Sequence, residues 1–89
     1  MWLRKEAVMQ KVIQNANFGQ NLKKIRSERR LFQNDLVSRM QTLGSTISRS
    51  GYSRIELGTR NIKVTDLVAF QQVCNVDFAE FFKGIEPHE

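Results

Sequence analysis

Two runs decide the reading: Gln33-Asn34-Asp35-Leu36-Val37-Ser38-Arg39-Met40, and Ser48-Arg49-Ser50-Gly51-Tyr52-Ser53-Arg54-Ile55-Glu56-Leu57-Gly58. In the first, Leu36, Val37 and Met40 recur at helical spacing and give one apolar face. In the second, Ser48 suits an N-cap, because its hydroxyl can accept from a free N–H of the first turn. Ile47 before the cap and Tyr52 within the helix have the spacing of a hydrophobic staple. Tyr52 and Ile55 point inward, and Gly58 can close the helix in the left-handed conformation. The pattern is therefore two short helices in succession, the second with arginines on its outer side.

Outward from this pair the chain stays helical. Phe18, Leu22, Ile25 and Arg26 follow one helical face, with Lys23, Lys24 and Arg30 off it. Asn15-Ala16-Asn17 reads as a break, with Asn17 as the cap of the helix that follows. Leu31 and Phe32 connect to the helix that Gln33 opens. Downstream, Ile62 and Val64 lead into a fourth helix that buries Leu67, Val68, Phe70, Val73 and Cys74. Asn75 interrupts it, and Val76, Phe78, Phe81 and Phe82 serve a short fifth helix that closes the core. Gly84 and Pro87 mark a tail. Residues 1–16 hold a looser stripe of Leu3, Ala7, Val8, Val12 and Ile13. They form either a short helix packed on a second subunit or a frayed extension. Few alternating apolar runs occur, so no strand is expected. The expectation is all-α: a compact domain of four to five helices over residues 17–83, an extension over 1–16 and a tail over 84–89.

Eighty-nine residues suit one small domain near the lower limit of unaided stability. The net charge of +5 is unevenly placed. Residues 17–60 carry nine Lys and Arg against Glu28, Asp35 and Glu56, whereas residues 61–89 carry Lys63 and Lys83 against five acids. A basic centre of this kind attracts phosphate backbones whatever their sequence. Two helices joined by a turn, the second bearing outward cations, is a layout that reads DNA in the major groove. No apolar run approaches bilayer length, and no signal-peptide core follows the first residues, so no membrane partner and a cytoplasmic location are expected. Cys74 and His88 are each alone in their kind. That leaves no nucleophile–base pair to support catalysis and no ligand cluster for a metal, and no cofactor is expected.

In this order and spacing the motifs resemble the Cro/CI-type helix-turn-helix family, the XRE-type regulators. The matching pieces are Ile25-Arg26, Gln33-Asn34-Asp35-Leu36, Tyr52 to Asn61, and Val73 to Phe82. The resemblance implies a lambda-repressor-like fold and a double-stranded DNA partner. It also implies roles. Gln33 would bond a DNA phosphate at a helix N-terminus. Arg49, Ser50 and Arg54 would face base edges, with arginine suited to guanine O6 and N7. Gly51 and Ser53 would lie near the backbone, and Thr59, Arg60 and Asn61 would contact phosphates. Arg26 and Glu56 would form a salt bridge tying the first helix to the recognition helix.

The chain departs from the family pattern between Met40 and Ser48. Gln41-Thr42-Leu43-Gly44-Ser45-Thr46-Ile47 replaces the usual tight turn. The second helix is expected to run on to Leu43, with Gly44 as its stop and extra backbone contacts from Thr42, Ser45 or Thr46. Gly51 near the start of the recognition helix is a second departure. The function expected is a sequence-specific transcriptional regulator of the repressor type, acting as a homodimer. The alternative class is an antitoxin, a module whose helical surface covers a protein partner.

Overall fold

The computed structural model describes residues 16–86. Helix α1 spans Ala16–Glu28, α2 Gln33–Thr42, α3 Arg49–Leu57 and α4 Val64–Cys74; a 3₁₀ helix, Phe78–Phe82, follows. The described residues contain no strand. The N-terminal extension, Trp2 and His88 lie outside the described residues.

The local reading of α3 holds in detail. Ser48 is extended, and its Oγ accepts from Gly51 N at 3.0 Å. Ile47 and Tyr52 are both buried in the core. Gly58 ends the helix at φ +80°, its N–H returning to the carbonyl of Ile55 at 3.1 Å. Asn75 adopts the left-handed conformation after α4. Asp35 Oδ2 accepts from Phe32 N at the start of α2, where an acid also favours the helix dipole.

Aromatic rings form the spine of the core. Phe18 of α1 meets Phe81 at 6.4 Å between centroids, Phe81 meets Phe70 of α4 edge-on at 5.5 Å, and Phe70 stacks on Tyr52 of α3 at 6.2 Å. All four are essentially inaccessible. Leu22, Leu36, Met40 and Ile55 fill the space around them. Asn21 of α1 holds the 3₁₀ segment by donating from Nδ2 to the carbonyls of Phe81 and Lys83, both at 2.9 Å. Arg29 donates from Nε to the carbonyl of Cys74 at 2.7 Å, satisfying a C-terminal group that α4 cannot bond itself.

Four expectations change. Asn17 lies inside α1 rather than capping it. Val68 is 38% exposed because α4 turns that side to solvent, while Ala69 and Phe70 take the core. The closing segment is a 3₁₀ helix, with its tighter threefold repeat. Phe81 is therefore buried, while Phe78 and Phe82 stay 44% exposed and pack partly as flanking rings on Phe81.

The long connection after α2 is ordered from within. α2 ends at Thr42, and Gly44 turns the chain at φ +104°. Ser45 Oγ donates to Asp66 Oδ1 at 2.8 Å and accepts from Ile47 N at 3.2 Å. Gln41 Nε2 bonds the carbonyl of Ile47 at 2.8 Å. Thr42 Oγ1 donates back to Ser38 O at 3.0 Å. Ser45 and Thr42 thus use their hydroxyl protons inside the domain, and only Thr46 of the three is left exposed without such a bond.

Gly19 sets how closely α1 and α3 approach. A Cβ there would lie 2.7 Å from the carbonyl carbon of Glu56, against backbone that cannot swing aside. In an unconstrained helix Gly→Ala would gain up to ~1 kcal/mol in propensity. Here overpacking dominates, and Gly19→Ala is expected to cost about 1–3 kcal/mol. Thermal melting checks this; an unchanged or raised Tm would contradict the close crossing.

Candidate nucleic-acid interface

At 3.6 residues per turn, positions 49, 50, 53, 54 and 57 share one side of α3 and positions 51, 52, 55 and 56 the other. Burial follows this division. Gly51, Tyr52, Ile55 and Glu56 are buried; Arg49, Ser50, Arg54 and Leu57 are exposed, and Ser53 is intermediate. The three residues expected to face base edges therefore stand together on the outer face. Among the described residues no side chain or carbonyl pairs with the guanidinium of Arg49 or Arg54.

The inner face is fixed to α1 by charge. Arg26 Nε donates to Glu56 Oε2 at 2.7 Å, and Nη2 donates to Oε1 at 3.1 Å. The fork is bidentate, the geometry in which arginine and carboxylate match best. Arg26 Nη1 also reaches the carbonyl of Leu31 at 2.8 Å. The side chains are 12% and 5% exposed. Burial alone would raise the Glu56 pKa; the hydrogen bonds from Arg26, the nearby Tyr52 hydroxyl and the hydrogen bond from Gln33 outweigh it and hold the carboxyl below its ordinary value. Tyr52 is driven the other way: burial, then the neighbouring Glu56 carboxylate, push its hydroxyl far up. That hydroxyl has no hydrogen-bond partner among the described residues.

Gln33 occupies the first position of α2, with its Nε2 bonded to Glu56 Oε1 at 3.0 Å. This bond uses one amide hydrogen and leaves the second. An open groove runs between α1 and α3, and Gln33, Ser53, Gln20, Lys23 and Leu57 line it. The structure thus brings Gln33 and Ser53 to one edge of α3. Thr59, Arg60 and Asn61 follow the helix in the loop and are exposed. Thr59 is partly engaged: its N–H and hydroxyl both donate to the carbonyl of Arg54, at 3.0 and 3.2 Å. Arg60 folds back over α3, with its guanidinium against Gly51.

Sequence reasoning missed several residues that shape this site. Gly19 places α3, Ser45 and Asp66 anchor the connection that delivers it, and Leu57 extends its exposed face. A glycine within the apolar stripe of α1, beside Phe18, was the available signal for the first. Asp66 is 5% exposed although its sequence neighbourhood looks like any helix start. No described helix is long and apolar enough to cross a membrane. No described group of three or more His, Cys, Asp or Glu side chains could hold a metal ion.

The Glu56 shift has a pH consequence. A carboxyl whose folded pKa lies below its unfolded value, near 4.5, stabilises the fold fully above that value and loses the contribution as pH falls through the folded pKa. Glu56→Gln is expected to lose about 1.5–3 kcal/mol at neutral pH. Its deficit relative to the parent should shrink as pH drops below 4.5. Melting curves at stepped pH test this; a deficit constant down to strongly acid pH would contradict it.

Residues 41–81 match the family model described as helix-turn-helix. The match runs from the end of α2 through α3 and α4 into the 3₁₀ segment, leaving α1 outside it. Comparison with curated proteins and with solved structures finds no match. With α1 buttressing α3 through Arg26 and Glu56, the four α-helices of the described residues agree with a lambda-repressor-like fold, and the match over residues 41–81 supports a helix-turn-helix domain of the Cro/CI type.

Proposed function

We propose that the chain is a sequence-specific transcriptional repressor that inserts α3 into the major groove. The observation that carries this reading is the two-sided burial of α3: Glu56 is locked inward, and Arg49, Ser50 and Arg54 are presented together outward. In this reading Arg54 and Arg49 read guanines through their forked donors, and Ser50 bonds a neighbouring base edge. Gln33 and Ser53 approach the phosphates at one edge of the helix, and Thr59, Arg60 and Asn61 do so from the loop. Gln33 stands at the N-terminus of α2, where anions are favoured, and its bond to Glu56 leaves one amide hydrogen for such an anion.

A nine-residue helix touches few base pairs. Useful specificity therefore calls for two copies on an inverted repeat, with half-sites about 34 Å apart. Domain limits of 17–83 and a cytoplasmic location accompany this proposal. A repressor of this form needs no cofactor, because occupying the promoter is sufficient.

Binding to a labelled duplex of the chain's own upstream DNA, titrated with salt, tests the assignment. Arg54→Ala is expected to cost about 1–3 kcal/mol of discrimination at one base pair. Arg60→Ala is expected to weaken binding to all sequences alike and to reduce the salt slope by about 1. If Arg49→Ala and Arg54→Ala both left sequence preference untouched, the base-reading face would be assigned wrongly.

A further inference from the structure

We propose that Gly51 is a positioning residue for DNA recognition that acts through Arg60: the missing side chain at 51 is the slot in which the Arg60 guanidinium rests. This rests on the reading of α3 as the recognition helix. On family resemblance Gly51 itself would approach the DNA backbone, but Gly51 is buried, and the side chain over it is that of Arg60. A Cβ at 51 would run into Arg60 Nη1 and would stand 3.0 Å from Arg60 Cζ. The Ser48 hydroxyl that caps the helix closes the other side of the slot, at 3.2 Å from the same point.

The position matters because of where 51 falls on the helix. It lies between the exposed Arg54 side of α3 and the buried Ile55 side. A guanidinium seated there widens the cationic face of Arg49 and Arg54 with a charge that comes from outside the helix. Arg60 is exposed, and among the described residues no acceptor takes its N–H groups. Its placement is therefore set by shape, with its donors still available to a phosphate. Gly51 lets a loop residue hold one fixed place beside the reading helix, instead of sampling the many rotamers open to a surface arginine.

Gly51 and Gly19 make opposite demands. At Gly19 the obstacle to a Cβ is backbone, and the fold itself must yield. At Gly51 the obstacle is the far end of a flexible side chain, so Gly51→Ala can fold by expelling Arg60.

The test is a double-variant cycle of G51A and R60A, read by binding to a labelled mixed-sequence duplex over a salt series and by thermal melting. The expected result is that G51A lowers the salt slope towards that of R60A, by up to about 1, and that G51A/R60A binds as R60A does. In melting, Ala at 51 should raise Tm more in the R60A background than in the parent, since there it gains helix propensity with nothing to displace. Additive losses in binding, or a G51A loss with unchanged salt slope, would overturn the proposal while leaving α3 as the reading helix. Absence of salt-dependent binding by the parent chain would overturn both readings. Equal Tm changes for Ala at 51 in the two backgrounds would show that the slot does not exist.

Discussion

Everything the outer face of α3 can do depends on how its inner face is held, and one buried ion pair holds it. Arg26 and Glu56 are taken out of water, which is costly for both unless their hydrogen-bonding capacity is met. Here it is met by geometry. Three nitrogens of Arg26 reach Glu56 and the carbonyl of Leu31, and Glu56 also accepts from Gln33. The carboxylate of Glu56 therefore joins α3 to α1 and to the first residue of α2, while Arg26 also ties down the link after α1. An apolar contact in its place could slide, whereas a bidentate fork fixes rotation about the helix axis as well as distance. Gly19 allows the approach by putting no atom between the helices, and the aromatic spine supplies the burial that offsets the ordering of so short a chain.

The same logic explains why the long connection after α2 does not loosen the site. Six residues, Leu43 to Ser48, join α2 to α3 where the family has a tight turn, yet α3 starts with its Ser48 cap formed and its staple residues buried. Ser45 accounts for this. Its hydroxyl bridges Asp66, at the start of α4, and the N–H of Ile47. The added chain is tied to the helix that follows α3, so its two ends remain fixed relative to one another. The insertion lengthens the path without adding freedom where α3 begins.

Much of this was legible in the residues because the governing interactions are local. A serine cap, a staple pair, a left-handed glycine and an apolar face each span a few positions, and all four could be read around α3. The Arg26–Glu56 pair was available only through family resemblance, since thirty positions separate the partners. The misread residues belong to a different physical class. Val68 and the Phe78–Phe82 segment depended on how far a helix is rotated against the core, and apolar content does not reveal that. Gly19, Asp66 and the Gly51–Arg60 contact depend on which distant element approaches, information carried only by the folded chain. Of the expected site, Arg49, Ser50 and Arg54 stand together as one outward face, and Gln33 and Ser53 line the same groove beside it. Thr59 and Gly51 are engaged within the domain in ways their sequence positions did not suggest.

The central claim is that α3 enters the major groove with its arginines against base edges. The most direct measurement is protection of guanine N7 from dimethyl sulfate, on duplexes that the chain selects from a random pool. Strong N7 protection is expected at a few guanines in each half-site, with adenine N3 in the minor groove still reactive at those positions. Protection confined to the minor groove, or bound complexes with every guanine N7 fully reactive, would contradict it.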